Sequence, residues 1–275
     1  MIERKAILIS GLLILGLTLA GLAAWAVLPA DQPVSTHFDA NGGTDAWMPP
    51  AQALLSGPAL GAVMWGFFLA LRWIGGPQLS AKARAVIFYT PVVIVAAMQG
   101  YFISAAFGLS WLSPRIIFVS VGLTWMMIGN VMGKLSPNNV FGVRTPWTLA
   151  DPHIWDQANR FGGWGMVLAG AGTIILVVTM DPSWPMIWAI LALPFTAMAS
   201  TWIGSWLLWR RRHPGERASV SRESVLRWAI TTLFVAAMGA DMALERGASS
   251  MPLWVGFLLA MLACRYVGRR RQRRQ

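Results

Sequence analysis

Apolar residues run through this chain in long windows interrupted by charges, prolines and glycine-rich turns. A hydrocarbon core of about 30 Å needs about 20 helical residues to cross it. Windows of that size fall at 6–28, 52–71, 85–109, 115–133, 162–180, 186–208, 228–244 and 252–267. The last two are shorter and the final one carries Arg265, so a helical hairpin that dips in without crossing is the alternative reading there. The predicted fold is all-α, a polytopic transmembrane helical bundle of about eight spans. Residues 1–84 read as a two-helix unit with an outer-loop cap at 29–50, and 85–208 as a four-helix unit with an inner loop at 134–161. Residues 209–275 read as a C-terminal helical hairpin and a basic tail.

Composition agrees with the windows. Of 275 residues, 56% are hydrophobic and 12% charged, with a mean hydropathy of +0.56. A soluble domain carries about 25% charged residues, so an ordinary soluble globule is excluded. Sixteen Trp against three Tyr suits helices with many interfacial anchors. The single Cys264 excludes an internal disulfide and a cysteine metal site. The first window follows Glu3-Arg4-Lys5 and, at 23 residues, is longer than a signal-peptide core of about 7–15 residues, so it is expected to be retained as a span.

The net charge of +11 would suggest nucleic acid if the cations formed one face of a soluble domain. Instead they follow topology. With the N-terminus inside, only Arg115 and Arg246 of the 22 Lys and Arg fall outside, the asymmetry of the positive-inside rule. Both termini are therefore expected in the cytoplasm of a bacterial plasma (inner) membrane. The arginine runs at 210–212 and 269–274 read as anchors beside anionic headgroups, with no direct nucleic-acid partner.

Two loops carry the candidate chemistry. The outer one holds two prolines, then Thr36-His37-Phe38, Asn41-Gly42-Gly43 and Trp47. The Asn-Gly-Gly step is a strong turn signal, which makes the loop a small structured cap with an extended arm before the turn. His37, Asp39 and Asp45 are its candidate ligand-binding groups, and Trp47 its interfacial anchor. The spacing of Asp39, Asn41, Gly43 and Asp45 faintly resembles a calcium loop, but Pro50 stands where the closing carboxylate belongs, so a hydrogen-bonded cap is favoured over metal.

The inner loop contains Phe141-Gly142-Val143-Arg144-Thr145-Pro146-Trp147-Thr148-Leu149. Asp151 followed by Pro152 is a helix start, predicting a short amphipathic helix with Ile154 and Trp155 that leads into the fifth span. Arg144, Thr145, Trp147 and Thr148 form a cluster suited to a phosphate headgroup, a peptide or a protein partner. A loop folded on itself explains the same residues equally well.

Gly129-Asn130, Gly133-Lys134, the run from Phe141 to Leu149, Trp155 and Arg160-Phe161-Gly162-Gly163 together resemble the signature of the SdpI family of bacterial integral membrane proteins. The outer loop is similar to the domain of unknown function that usually precedes it in those proteins, so the resemblance covers about residues 1–208. The chain departs from the family in having Ala158-Asn159 where Thr-His is usual. The resemblance implies an immunity protein against a membrane-active peptide toxin, with a cytoplasmic repressor as signalling partner. It assigns Asn130, Arg144, Thr145, Pro146, Trp147, Thr148 and Arg160 to an inner binding or coupling motif, and His37 and Trp47 to the outer cap.

Two other classes compete. A lipid-handling or transport protein is the alternative, although the polar residues within the spans are mild ones such as Gln99, Thr124 and Thr173, which argues against ion-coupled transport. An enzyme is not expected. His37 lies outside and His153 and His213 inside, and no nucleophile–base motif is present. No cofactor is expected, and membrane lipids are the common partner of every reading.

Overall fold

A computed structural model describes residues 2–216 apart from 30, 40, 76–79, 110–111 and 139–140. The windows predicted at 228–244 and 252–267 lie outside the described residues. Residues 1–215 form one compact unit. Its helices are α1 (Ile2–Val27), α2 (Pro50–Gly75), α3 (Ala81–Ala106), α4 (Arg115–Met132), α5 (Pro146–Ala150), α6 (Pro152–Thr179) and α7 (Trp184–Arg212), with strands β1 (Val34–Phe38) and β2 (Thr44–Met48) between the first two. Six of the helices are long and apolar enough to cross a membrane. This makes the chain a multi-pass membrane protein.

The first six predicted windows each coincide with one of these helices. The main difference lies at the fifth. The amphipathic stretch is no separate lead-in: from Pro152 the chain is one continuous 28-residue helix, α6. Ile154 and Trp155 face protein instead of a headgroup layer, at 1% and 0% exposure. Their neighbours Asp156 and Arg160 are exposed on the other side, and a helix whose apolar face is covered by protein tolerates charge there.

The outward side chains identify the solvent. Leu8, Leu12, Leu15 and Leu19 of α1, Trp164 and Leu168 of α6, and Trp188 and Phe195 of α7 are all exposed. In water these apolar stripes would be untenable, whereas in hydrocarbon they cost nothing. Inside the bundle α3 is the shared element, packing against α1, α2 and α4.

With lipid outside, burial of apolar area gives little drive to associate, and close backbone approach takes over. The α4–α6 pair is built this way. Gly129 and Gly163 meet backbone to backbone, so that a Cβ on Gly129 would stand 2.5 Å from the Gly163 carbonyl oxygen and the reverse 2.6 Å. Seven residues along, Gly122 and Gly170 repeat the contact, and Gly133 receives the side chain of Arg160. The order of these contacts makes the pair antiparallel.

The bundle has two dissimilar ends. At one, the β1–β2 hairpin is held over α3: Phe38 meets Tyr101 edge-on at 5.4 Å, the Tyr101 hydroxyl donates to Ser35 Oγ, and Gln32 Nε2 donates to the Ala106 carbonyl. Val34, Leu54, Phe102 and Ala106 form the apolar cluster beneath. At the other end the starts of α3 and α6 and the end of α4 surround Ala83, Val131, Met132, Leu135, Val143 and Trp155. The loop from 134 to 151 closes this motif-loop end.

Replacing Gly129 by Ala should lower the thermal stability of the detergent-solubilised protein by about 1–3 kcal/mol, because a methyl group forces two backbones apart. Gly204, with nothing within 4 Å of its missing Cβ, is the control. Gly204→Ala should be neutral or stabilising by up to about 1 kcal/mol. Equal melting temperatures for the two variants would refute the backbone contact.

Candidate functional site

The motif loop descends from α4 and must satisfy its backbone where part of it lies buried in protein. Asn138 turns the chain first, its Oδ1 accepting from Phe141 N at 2.7 Å. Gly142 follows with φ +105°, a conformation that favours glycine, and it lies directly against the Asn159 amide. Val143 N then donates to Asn159 Oδ1 at 2.8 Å, and Asn159 Nδ2 donates to the Trp155 carbonyl. Trp155 Nε1 in turn donates to the Leu135 carbonyl at 2.6 Å. Asn159 and Trp155, both 0% exposed, thus tie both limbs of the loop to α6.

Thr145 and Thr148 complete the loop. Thr145 Oγ1 accepts from Thr148 N, Thr148 Oγ1 accepts from Thr145 N, and Thr148 Oγ1 donates to the Val143 carbonyl at 2.9 Å. This reciprocal capping box starts the single turn of α5, with Pro146 at its first position. The two hydroxyls lie inside the loop at 1% and 0% exposure, so they act by shaping it. Trp147 reaches sideways to α7, donating from Nε1 to Ser205 Oγ at 2.8 Å and meeting Trp202 edge-on. Arg144 sits half-buried between the buried Val143 and Thr145, its Nε shielded from solvent.

The other predicted motif residues lie elsewhere. Asn130 and Arg160 are exposed on α4 and α6, and both line a groove between those helices together with Lys134. The inner-motif set therefore divides into a loop group, Arg144 to Thr148, and a groove pair.

Asp151 is the electrostatic centre of this end. Its Oδ1 accepts from His153 N and Ile154 N, capping α6, while its Oδ2 takes His213 Nε2 and Arg212 Nε, each at 3.0 Å, from the end of α7. His213 stacks on Trp209 at 4.0 Å. The His213 hydrogen bond is the main influence holding the carboxyl below its usual range; burial pushes it up, and the two backbone donors and Arg212 add to the lowering. The helix start was legible in Asp151-Pro152, but its partners Arg212 and His213, the latter 62 residues away, carried no sequence signal.

At the opposite end the outer-loop groups form a β-hairpin. His37 Nδ1 and Asp45 Oδ1 are 2.6 Å apart across the strands, both exposed. Asp39 Oδ1 accepts from Asn41 N and Gly43 N, closing the turn in which Gly42 has φ +82°. Asp39 thus serves the turn, and Trp47 is 56% exposed on β2. Among the described residues no group of three His, Cys, Asp or Glu could hold a metal ion.

Six apolar helices, a polar hairpin at one end and a hydrogen-bonded loop at the other define a polytopic helical membrane protein with its polar chemistry gathered at two ends. Residues 134–205 match the SdpI/YfhL protein family, a range that begins at Lys134 and ends at Ser205, the partner of Trp147. The chain is thus a multi-pass membrane protein similar to the SdpI/YfhL family over that segment. It is 31% identical over 96 residues to the Immunity protein SdpI of Bacillus subtilis (strain 168), covering 35% of this chain and 45% of that protein. It is also 34% identical over 64 residues to the uncharacterized protein YfhL of the same organism, covering 20% of this chain and 58% of YfhL. The chain spans about half the length of the curated relatives it matches. No solved structure matches it. The family match starts at 134, so the likeness of the outer loop rests on its sequence motifs alone.

Two substitutions test this end of the molecule. Asn159→Ala leaves the buried Val143 N–H without its acceptor and should cost about 1–3 kcal/mol in thermal unfolding, with the loop more open to protease; unchanged melting and proteolysis would remove Asn159 from that role. For Asp151 a depressed folded pKa means that its stabilisation is present above the unfolded value of about 3.9 and is lost as pH falls through the folded pKa. The wild type should therefore melt above Asp151→Asn at pH 7, and the gap should close on acidification below about pH 4. A gap independent of pH would assign the effect to packing.

Proposed function

We propose that this protein is a membrane immunity protein that protects its cell from a membrane-active peptide toxin by binding and not by catalysis. One observation carries the reading. The segment that matches the SdpI/YfhL protein family, to which the Immunity protein SdpI gives its name, is the same segment that builds the motif loop and anchors it to α6 and α7.

In this reading the loop group is a coupling element. Arg144 is carried on a rigid loop whose own polar groups are engaged, so its guanidinium is held in one place for a carboxylate or backbone carbonyl of a partner. A cytoplasmic repressor is the partner class that the family resemblance suggests. On the far side, the exposed His37–Asp45 pair and Trp47 offer a polar and aromatic surface to a peptide arriving from outside. Lipid handling is the second reading, favoured by the groove beside Arg160.

The test is membrane potential, followed by dye fluorescence in a sensitive bacterium challenged with a panel of hydrophobic peptide toxins. Cells carrying the protein should keep their potential, and Arg144→Ala should lose that protection at an unchanged membrane level. Equal collapse with and without the protein, its expression verified, would overturn immunity towards that panel. Loss of protein together with loss of protection would give Arg144 a folding role.

A further inference from the structure

The groove between α4 and α6, near the motif-loop end, has a volume of about 520 Å³. Its composition is graded. Its mouth, the end beside the motif loop, carries Lys134, Arg160 and Asn130, all exposed, whereas further along the two helices it is lined by Met126, Val167 and the exposed Trp164. Among the described residues no acidic one lines it. From Lys134 to Met126 the helical rise covers about 12 Å, most of the roughly 15 Å of hydrocarbon in one leaflet.

The cations at the mouth differ from others at the bundle's ends. Arg84 is paired with Glu3, Arg115 with Asp181 and Arg212 with Asp151. Among the described residues neither Lys134 nor Arg160 is held in an ion pair. The stem of Arg160 is seated against Gly133, where the absence of a side chain lets it lie close to α4. This brings a planar donor fork and an ammonium group to one mouth, a pairing suited to a phosphodiester. The apolar wall beneath would be wasted on a free anion, and a zwitterionic headgroup would meet two positive charges with no net charge of its own.

We propose that this groove binds one anionic phospholipid of the adjacent leaflet. Lys134 and Arg160 hold the phosphodiester, Asn130 donates to the headgroup, and one acyl chain lies along Met126, Val167 and Trp164. The site stands independently of the toxin reading, because it rests on the groove alone.

The test uses the full chain in detergent micelles, titrated with dioleoyl phosphatidylglycerol or dioleoyl phosphatidylcholine and read by native mass spectrometry at fixed ionic strength. Phosphatidylglycerol should bind more tightly. Lys134→Gln and Arg160→Gln should each lower its affinity about fivefold, as expected for one surface cation, with phosphatidylcholine unaffected. Reading the loss as a difference from wild type cancels any contribution of the tail arginines. Equal affinity for the two lipids, or an unchanged phosphatidylglycerol affinity in the double variant, would overturn the site. So would displacement of the lipid by inorganic phosphate at equal concentration, which would make the mouth a free-anion site. As a measurement that needs no variant, a photoactivatable phosphatidylglycerol should cross-link to residues 126–134 and 160–167; labelling confined to other spans would place the lipid elsewhere.

Discussion

The backbone contact between α4 and α6 is the constraint on which the motif-loop end depends. Two glycine pairs, Gly122 with Gly170 and Gly129 with Gly163, bring the helices to a separation that any side chain would prevent. In a bilayer this close approach replaces the hydrophobic drive that is missing between lipid-facing helices. It also sets the register of the pair. Once Gly129 faces Gly163, Gly133 must face Arg160, and the end of α4 arrives beside the first turns of α6.

The loop follows from that register. Leu135 lands where Trp155 Nε1 reaches its carbonyl, and Val143 lands where Asn159 accepts its N–H. A segment joining two spans near the membrane has little water available to its buried backbone, and each unmet N–H there is expensive. The density of Thr, Asn and Trp between 138 and 159 answers that demand. A polar loop of this kind is rigid because its groups are already paired, and rigidity gives an exposed or half-exposed cation such as Arg144 a fixed position.

The spans were legible because about 20 apolar residues in a row have few other uses. The cap was partly legible: Asn41-Gly42-Gly43 announced a turn, while the cross-strand meeting of His37 and Asp45 depends on a strand register with irregularities that no local pattern encodes. The start of α6 is legible in Asp151-Pro152, whereas its continuity with the fifth span is hidden for a physical reason. Burial of Ile154 and Trp155 by protein, and not by lipid, lets the helix carry Asp156 and Arg160 on its outer side, so its polar first turns read as a separate amphipathic helix. The motif pattern marks Lys134, Asn159 and Arg160, but what each of them touches follows only from tertiary contact. Their spacing along the chain is set by the length of the loop that folds back between them, which sequence periodicity does not measure.

The division of the motif into a buried loop group and an exposed groove pair separates two kinds of chemistry. Thr145 and Thr148 have spent their hydrogen-bonding capacity on each other and on Val143, so they recognise nothing beyond the loop. Asn130, Lys134 and Arg160 face outward and line the groove. The two sets are still mechanically joined, because Arg160 immediately follows Asn159 on α6 and rests on Gly133 just before the loop begins. Any ligand that pulls the Arg160 side chain away from Gly133 therefore loads the helix face that holds Val143. A headgroup in the groove and a partner at Arg144 would act on one rigid element from its two sides.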